Sequence, residues 1–147
     1  MAGYPQLELD RQLCFALYSA SRAIVRAYGP LLEGAGLTYP QYVTMLVLWE
    51  GAPHPRTVGE LGERLHLDSG TLTPLLKRLA SMGYVTRSRD PQDERRVLVS
   101  LTADGLSLRD RLAAVPESLS ERCRGFDVTE VESLREQLVA LRAALES

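Results

Sequence analysis

The sequence is poor in the residues that build metal centres and disulfide frameworks. Its 147 residues include only two cysteines and two histidines. Cys14 and Cys123 lie far apart in the chain, and neither belongs to a CxxC or Cys/His spacing that would bind a metal. A structural disulfide is not expected in a reducing cytosol. The two thiols are therefore left for packing or for redox chemistry, and we expect no metal site.

Motifs of enzymes and of membrane proteins are missing as well. The sequence contains no glycine-rich phosphate-binding loop, no GxSxG motif and no carboxylate pair with an evident acid–base role. No apolar run approaches the roughly 20 residues that a membrane span needs, and no cleavable leader opens the chain. These absences predict a cytoplasmic protein that is not an enzyme, needs no cofactor and does not bind a membrane.

The composition does provide a core and a local excess of positive charge. Hydrophobic residues make up 45% of the chain, which suits a single domain over residues 1–147. The net charge is −2, but residues 64–100 hold seven Lys or Arg against four Asp or Glu, a balance of +3. Positive charge concentrated in one segment favours a sequence-specific DNA-binding protein over a protein that coats nucleic acid.

That segment carries the pattern of a winged helix-turn-helix, which we predict for residues 38–101. Thr57 and Glu60 form a capping box ahead of a short helix. His66 and Leu67 form the turn, and Asp68 caps a second helix. Leucines in the second helix recur at helical spacing and must face the core: Leu72, Leu75, Leu76 and Leu79.

The opposite face of the second helix is small, hydroxylated and basic. A helix enters the major groove of DNA only if its outer face is slim and carries groups that meet base edges and phosphates. We expect Thr71 and Thr73 to read base edges, and Lys77 and Arg78 to contact phosphates. The other residues of the predicted DNA-binding face are small: Ser69, Gly70 and Pro74. Pro74 also removes one intrahelical donor, which predicts a bend or a tightened first turn.

The two segments that follow predict a hairpin wing. Strands over residues 84–89 and 95–101 flank the turn-forming sequence Asp-Pro-Gln-Asp. Arg87 and Arg95 would lie near a minor groove or its phosphates, beside Arg89 and Arg96, and Asp93 would orient Arg95. Each piece alone also fits a solvated hairpin or an ordinary amphipathic helix, but their order along the chain favours DNA binding.

Helices are predicted ahead of this region. Thr38 begins one with the apolar run VTMLVLWE, which suits the central strut of the domain. Earlier in the chain, Asp10 caps a helix that runs to about Tyr28 and is apolar on most sides. The Gly-Pro pair at 29–30 stops that helix, and a short helix then ends near residues 34–36. The segment GAPHPR, residues 51–56, is expected to be a loop.

Helices also follow the wing. Thr102 caps one that Pro116 breaks or kinks, and Thr129 with Glu132 forms a capping box for the last helix. Apolar residues of the last helix repeat with the average spacing of a coiled-coil seam: Val131, Leu134, Leu138, Leu141 and Leu145. A single helix folded onto its own core would show the same stripe. Residues 10–35 and 102–147 therefore predict a dimerisation layer, in a fold that is mainly α with a small β-hairpin wing.

Four segments together resemble one protein family. They are LCFALYSASRA around Cys14, LTYPQYVTMLVLWE from Leu37, LDSGTLTPLLKRL from Leu67 and DERRVLVSLT from Asp93. They are similar to the MarR family of dimeric winged-helix regulators, and within it to the organic-hydroperoxide-sensing OhrR repressors. The resemblance covers nearly the whole chain. It implies a homodimer that binds an inverted-repeat operator in double-stranded DNA, represses a gene for a thiol peroxidase, and releases DNA when an organic hydroperoxide oxidises the N-terminal cysteine.

The resemblance also implies roles for individual residues. Cys14 matches the reactive cysteine of the family, and Tyr28 and Tyr39 match the tyrosines that hydrogen-bond it from the other subunit. Arg95 matches the wing arginine that enters the minor groove, with Asp93 as its orienting partner. Some members of the family carry a second cysteine that closes an intersubunit disulfide. The chain resembles this kind, with Cys123 as the second cysteine.

The implied chemistry makes its own demands on the residues near Cys14. A thiolate attacks the peroxide O–O bond, so Cys14 needs partial access and neighbouring phenolic or positively charged groups. Tyr18 lies one turn away on the same helix face. From composition alone, Cys14 would more readily be a small apolar side chain that fills space in the core.

Two other functions stay open: a repressor gated by a reversible small ligand, which would not need Cys14, and a thiol peroxidase, which would not need the basic wing.

Overall fold

The computed structural model describes residues 3–147, which are mainly α-helical with one small sheet. Two 3-10 turns, Pro5–Leu7 and Leu9–Arg11, precede the first helix, and a third, Glu33–Ala35, follows it. In chain order the other elements are α1 (Leu13–Leu32), α2 (Tyr39–Glu50), β1 (Arg56–Thr57), α3 (Val58–Leu65), α4 (Ser69–Ser81), β2 (Val85–Asp90), β3 (Asp93–Leu101), α5 (Ala103–Arg111), α6 (Val115–Arg122) and α7 (Val128–Leu145). The chain forms two compact units, one ending at Val115 and the other spanning Pro116–Ser147.

The first helix differs from the prediction at both ends. It begins at Leu13, because Asp10 lies in a separate 3-10 turn and does not cap it. It also continues through Pro30 to Leu32, so the prediction that the Gly-Pro pair stops it is wrong. Proline removes one intrahelical donor, so the Arg26 carbonyl lacks its usual i+4 partner at Pro30, and the helix ends two residues later. The chain then turns at Gly36, whose φ of 71° is left-handed.

Side-chain caps set the starts of α2 to α5, as predicted. Thr38 forms a capping box with Gln41 at the start of α2, and Thr57 forms one with Glu60 at the start of α3. Asp68 accepts a hydrogen bond from the Thr71 backbone N–H ahead of α4, and Thr102 accepts one from Gly105 ahead of α5. The helix-turn-helix therefore has the boundaries that its polar residues indicate.

The two C-terminal helices begin differently from the prediction. The break after α5 falls at residues 112–114, and Pro116 lies in the first turn of α6. Proline suits that place because its missing N–H has no helical partner there. Asp127, two residues ahead of Thr129, caps α7 by accepting from the Glu130 backbone N–H at 2.8 Å. The capping box proposed for Thr129 and Glu132 is thus wrong; Gly125, with φ +94°, turns the chain just before Asp127.

The sheet has three antiparallel strands in the order β1-β3-β2. The predicted hairpin of β2 and β3 is present, with Val85 opposite Leu101 and Arg87 opposite Val99. The strand β1 was not predicted: Arg56 was assigned to a loop, but it pairs with Val99, and Thr57 pairs with Leu98. Thr57 therefore belongs to the sheet and also caps α3.

The core lies in the first unit, around α2. Fully buried side chains come from α2, α3, α4, the wing strands and α5: Tyr42, Met45, Leu48, Leu61, Leu72, Leu76, Leu79, Val85, Val99 and Leu108. This confirms the prediction that α2 is the central helix of the domain. It also confirms that the leucine stripe of α4 faces the core, with Leu75 partly buried at the edge. Within residues 3–147, no helix is long and apolar enough to cross a membrane.

Candidate nucleic-acid interface and cysteine site

The outward face of α4 is open to solvent and free of large apolar side chains. Ser69, Gly70, Thr71, Pro74, Lys77 and Arg78 are exposed, and Thr73 is half-buried. Leu72, Leu76 and Leu79 on the other side of the helix are fully buried, so rotation of α4 about its axis is fixed by the core. The six exposed residues and Thr73 therefore form one slim, hydroxylated and basic surface, which we call the α4 face.

Asp68 holds the beginning of the α4 face in place. Its Oδ1 accepts a hydrogen bond from the Thr71 backbone N–H at 2.7 Å. This bond is the main reason that the pKa of the Asp68 carboxyl lies below its ordinary value. An ionised carboxylate at the N-terminus of a helix also interacts favourably with the helix dipole. The backbone of the first turn is thereby fixed beneath the hydroxyl of Thr71.

The wing presents one arginine to solvent in a defined orientation. The side chain of Arg95 is 91% exposed. Its Nε lies 3.1 Å from Asp93 Oδ1 and its Nη2 lies 3.4 Å from Asp93 Oδ2. The same carboxylate accepts from the Arg95 backbone N–H, and these bonds lower the pKa of Asp93. A bidentate contact of this kind restricts the guanidinium of an otherwise free side chain.

The other wing arginines are held differently. Arg89 Nη1 donates to the carbonyl of Glu94 across the hairpin at 2.8 Å. Arg96 lies 3.9 Å from carboxylate oxygens of both Asp90 and Glu60, so it links the wing to the first turn of α3. The sequence pattern indicates a place for Arg96 beside the wing but not this link.

Arg87 has an environment that the sequence did not indicate. It lies opposite Val99, a fully buried residue, so its side chain leaves the sheet on the core side. Its Nε is shielded from solvent and has no hydrogen-bond acceptor among residues 3–147. Arg87 and Arg95 are therefore not equivalent, and only Arg95 has the open exposure of a side chain ready to enter a groove.

Three tyrosines form a cluster where α1 and α2 pack together. The ring centroids of Tyr28 and Tyr39 are 4.7 Å apart, and that of Tyr42 lies 5.6 Å from Tyr28. Burial raises the pKa of Tyr39, and burial together with Tyr39 raises the pKa of Tyr42. Both phenols therefore remain protonated hydrogen-bond donors at neutral pH. Tyr42 was not among the site residues predicted from the sequence.

The tyrosine cluster does not meet Cys14 of the same chain. Cys14 is exposed and is the second residue of α1. Tyr28 lies fourteen positions later on the same helix, which at about 1.5 Å per residue separates the two by about 21 Å along the axis. Tyr18 lies one turn from Cys14, is 60% exposed, and has the Arg22 guanidinium 5.6 Å from its ring centroid.

The second cysteine lies in the other compact unit. Cys123 follows the end of α6, is half-buried, and donates its backbone N–H to the carbonyl of Ser120 at 3.0 Å. The two residues beside it, Arg122 and Arg124, are exposed. Across residues 3–147, no group of three or more His, Cys, Asp or Glu side chains is arranged to hold a metal ion.

Comparison with known proteins identifies the family. A family model described as transcriptional regulator SarA/Rot matches residues 26–112. The organic hydroperoxide resistance transcriptional regulator of Bacillus subtilis (strain 168) is 42% identical over 144 residues, which is 98% of this chain and 94% of that protein. The HTH-type transcriptional regulator TtmR of Methylorubrum extorquens (strain PA1) is 47% identical over 137 residues, 93% of this chain and 69% of that protein.

Solved structures of AbfR from Staphylococcus epidermidis are also similar. Reduced AbfR bound to DNA is 34% identical and superimposes with a TM-score of 0.80 over 97% of each chain. Disulfide-formed AbfR is 38% identical and superimposes with a TM-score of 0.62 over 96% of this chain and 92% of that one. From its fold and these relatives, the chain belongs to the MarR-type family of winged-helix transcriptional regulators, together with the SarA/Rot and organic hydroperoxide resistance regulators.

Proposed function

We propose that the protein is a homodimeric repressor that binds an inverted-repeat operator and releases it when an organic hydroperoxide oxidises Cys14. The observation that carries the proposal is the presence on one chain of an open, basic α4 face with an oriented Arg95, and of an exposed cysteine on α1. The relatives named for hydroperoxide resistance and for reduced and disulfide forms support the same function. We propose that it acts in the cytoplasm and is not an enzyme.

The DNA contacts divide into two sets. On the α4 face, Thr71 and Thr73 meet base edges in the major groove, and Lys77 and Arg78 meet phosphates. The small residues Ser69, Gly70 and Pro74 let the helix approach closely. Arg95 enters the adjacent minor groove, where negative potential is concentrated, and Asp93 keeps its guanidinium oriented before DNA arrives. Arg87, which is partly shielded, contributes positive charge at the base of the wing.

Homodimer formation is supported by what α1 and α7 leave exposed. Of its 20 residues, α1 buries only Leu32, and α7 buries none. Large apolar side chains on α1 are exposed: Leu13, Phe15, Leu17, Tyr18, Ile24 and Val25. Those on α7 are exposed too, and include four positions of the predicted seam: Val131, Leu134, Leu138 and Leu145. Exposed apolar side chains along a helix are typical of an interaction site, and a second copy of the chain is the proposed partner of each of the two helices.

The sensor is completed across the dimer. Because about 21 Å separates Cys14 from Tyr28 along α1, the phenols of Tyr28 and Tyr39 cannot donate to Cys14 of their own chain. We propose that they donate to the partner subunit's Cys14, while Tyr18 lines the thiol from the same chain. A phenol is protonated at neutral pH, and burial raises the pKa of Tyr39 further, so Tyr39 is a donor to a thiolate or to its oxidised product.

The proposed reaction consumes one peroxide per thiol. The Cys14 thiolate attacks one oxygen of the O–O bond, an S–O bond forms as the O–O bond breaks, and the alkoxide leaves and takes up a proton as an alcohol. Sulfur is oxidised to a sulfenic acid, and the peroxide is reduced. The partner subunit's Cys123 thiol then attacks the sulfenic sulfur, which forms a disulfide and releases water. The oxidised protein leaves its operator.

A gel-shift experiment tests this function against the two alternatives. An operator is first selected from random-sequence duplex DNA with the reduced protein. Cumene hydroperoxide should release wild type from that operator and should leave Cys14→Ser bound. Release of Cys14→Ser to the same extent would point instead to a repressor gated by reversible binding of a small ligand. Sustained consumption of peroxide in the presence of a thiol reductant would identify a thiol peroxidase.

A further inference from the structure

A partly buried hydrogen bond joins the tyrosine-bearing helices to the end of α4. The segment between α1 and α2, residues 33–38, contains the 3-10 turn Glu33–Ala35. The carbonyl of Ala35 accepts a hydrogen bond from the Tyr84 hydroxyl at 3.1 Å, between residues 49 positions apart in the chain. Tyr84 comes two residues after Met82, the C-cap of α4. One side chain therefore connects the α1–α2 segment with the helix that carries the DNA-binding face.

The backbone of Tyr84 is fixed from two sides. Its N–H donates to the carbonyl of Leu79 at 3.1 Å, which closes the last turn of α4. Its carbonyl accepts from the Thr102 N–H at 3.1 Å. The first turn of α5 packs so closely that a Cβ added to Gly105 would lie 2.0 Å from the Tyr84 carbonyl oxygen. A displacement of the Tyr84 backbone would therefore also displace the end of α4, to which its N–H is bonded.

The α1–α2 segment is held at two further points. A Cβ built on Gly36, which has φ +71°, would lie 3.3 Å from the Met82 methyl group, so the segment also touches the C-cap of α4. Arg111 Nη2, at the end of α5, donates to the carbonyl of Gly34 at 3.4 Å. Only two residues separate Gly36 from Tyr39. Residues 33–38 thus connect the tyrosine cluster with the end of α4 through a short piece of backbone.

We propose that Tyr84 is a positioning residue that carries the state of the tyrosine cluster to α4. This inference rests on the proposed function. When oxidation of the partner subunit's Cys14 changes the contacts of Tyr28 and Tyr39, the ends of α1 and α2 that bear them move. The segment between the two helices must follow, and the Tyr84 hydroxyl transmits the displacement to the last turn of α4.

The substitution Tyr84→Phe tests the proposal because it keeps the ring and removes only the hydroxyl. Tyr4→Phe is the matched control, since Tyr4 is exposed and its hydroxyl has no hydrogen-bond partner in the described part of the chain. Both variants, in the reduced form, should bind the selected operator within about threefold of wild type. In all three proteins, mass spectrometry should show the same rate of Cys14 oxidation by cumene hydroperoxide.

The informative quantity is the ratio of operator affinities in the reduced and oxidised forms. Losing one neutral hydrogen bond from the coupling should lower this ratio about three- to tenfold in Tyr84→Phe and leave it unchanged in Tyr4→Phe. Hydrogen exchange provides a second readout without DNA. Peroxide should increase amide exchange in residues 79–84 of wild type, and this response should be smaller in Tyr84→Phe.

Two results would overturn the assignment of Tyr84. One is an unchanged affinity ratio in Tyr84→Phe with Cys14 fully oxidised, even if thermal stability falls, because a purely structural role predicts that result. The other is an equal exchange response of residues 79–84 in wild type and variant. If wild type itself keeps its operator after oxidation, the proposed function fails instead, so the two failures are distinguishable.

Discussion

At the scale of single residues, the orientation of Arg95 leads to a direct prediction. Asp93 holds its guanidinium at two points, but the side chain remains exposed. If Arg95 enters a narrow minor groove, Arg95→Ala should weaken operator binding by about 1–3 kcal/mol. Fluorescence anisotropy at fixed salt measures this difference. Arg124→Ala removes the same charge from an exposed position outside the wing and should have no effect. Equal affinities for wild type and Arg95→Ala would remove the wing from the mechanism.

Asp68 gives a prediction about pH. Hydrogen bonds from Thr71 hold the pKa of its carboxyl below the ordinary value, so the folded state favours the carboxylate. That contribution to stability is complete above the unfolded pKa of about 3.9 and is lost as the pH falls through the lower folded value. Asparagine makes a similar cap but does not titrate. The thermal midpoints of wild type and Asp68→Asn should therefore differ most at neutral pH and converge below about pH 4.

The comparison needs a second variant. Asp68→Ala lacks the cap in every protonation state, so its midpoint should lie below that of Asp68→Asn throughout the same scans. A difference between wild type and Asp68→Asn that stays constant from neutral to acid pH would show that ionisation of Asp68 does not stabilise α4.

At the scale of elements, the close contact between α5 and the wing predicts opposite results for two glycines. A Cβ at Gly105 would meet the Tyr84 carbonyl oxygen, so α5 or β2 must shift in Gly105→Ala, and we expect a loss of about 1–3 kcal/mol. At Gly59, in α3, the nearest atom would be the Thr57 Oγ1 at 3.8 Å. Gly59→Ala should therefore be neutral or stabilise by up to about 1 kcal/mol. Urea unfolding measures both; equal stability of the two variants would contradict the packing argument.

The α4 face predicts a change in salt dependence. If Lys77 and Arg78 each contact one phosphate, each alanine substitution should reduce the slope of log K against log salt by about 0.9. Affinity should fall by a similar factor for operator and for unrelated DNA. Arg109→Ala, an exposed arginine of α5, serves as the charge-matched control and should keep the wild-type slope. A loss of affinity confined to the operator would mean that these side chains read bases.

The elements that sequence predicted well are those whose ends are set by local side chains. Thr57, Asp68 and Thr102 cap their helices within three residues of sequence, so their polar atoms are visible in the pattern. The strand β1 has two residues and no periodicity, and only its pairing with β3 defines it. At α7, both Asp127 and Thr129 have a glutamate three positions later, so spacing could not choose between them. In the structure the cap is Asp127, two residues after the left-handed Gly125.

The candidate site divides in the same way. Helical spacing alone predicted that the α4 face lies opposite the leucine stripe, because the direction of each side chain on a helix follows from its position in the sequence. The shielding of Arg87 could not be read from its own segment, since it depends on the buried row shared with Val99. Likewise, Tyr84 reaches Ala35 only after α2, α3 and α4 have packed. Contacts between distant parts of the chain are set by the core and not by any motif.

At the scale of the whole molecule, the two cysteines predict a covalent dimer. Peroxide treatment followed by non-reducing electrophoresis should show a dimer band in wild type that disappears in Cys14→Ser and in Cys123→Ser. The proposed disulfide requires Cα atoms about 4.4–6.8 Å apart. If Cys123→Ser still cross-links, or if wild type stays monomeric while DNA is released, Cys123 is not the resolving residue. A small-molecule thiol would then cap Cys14.

Thr57 links the sheet to the helix-turn-helix in each half of a dimer. It pairs with Leu98 in the sheet and caps α3 through Glu60, and Glu60 in turn approaches Arg96 of the wing. Helix-turn-helix and wing are thus linked at their base, so we expect α3 and the wing to move together. We expect the two DNA-binding halves of a dimer to change their separation during release. Successive major grooves on one side of a DNA duplex lie about 34 Å apart. A dimer would lose its operator when the distance between its two DNA-binding halves no longer matches that spacing.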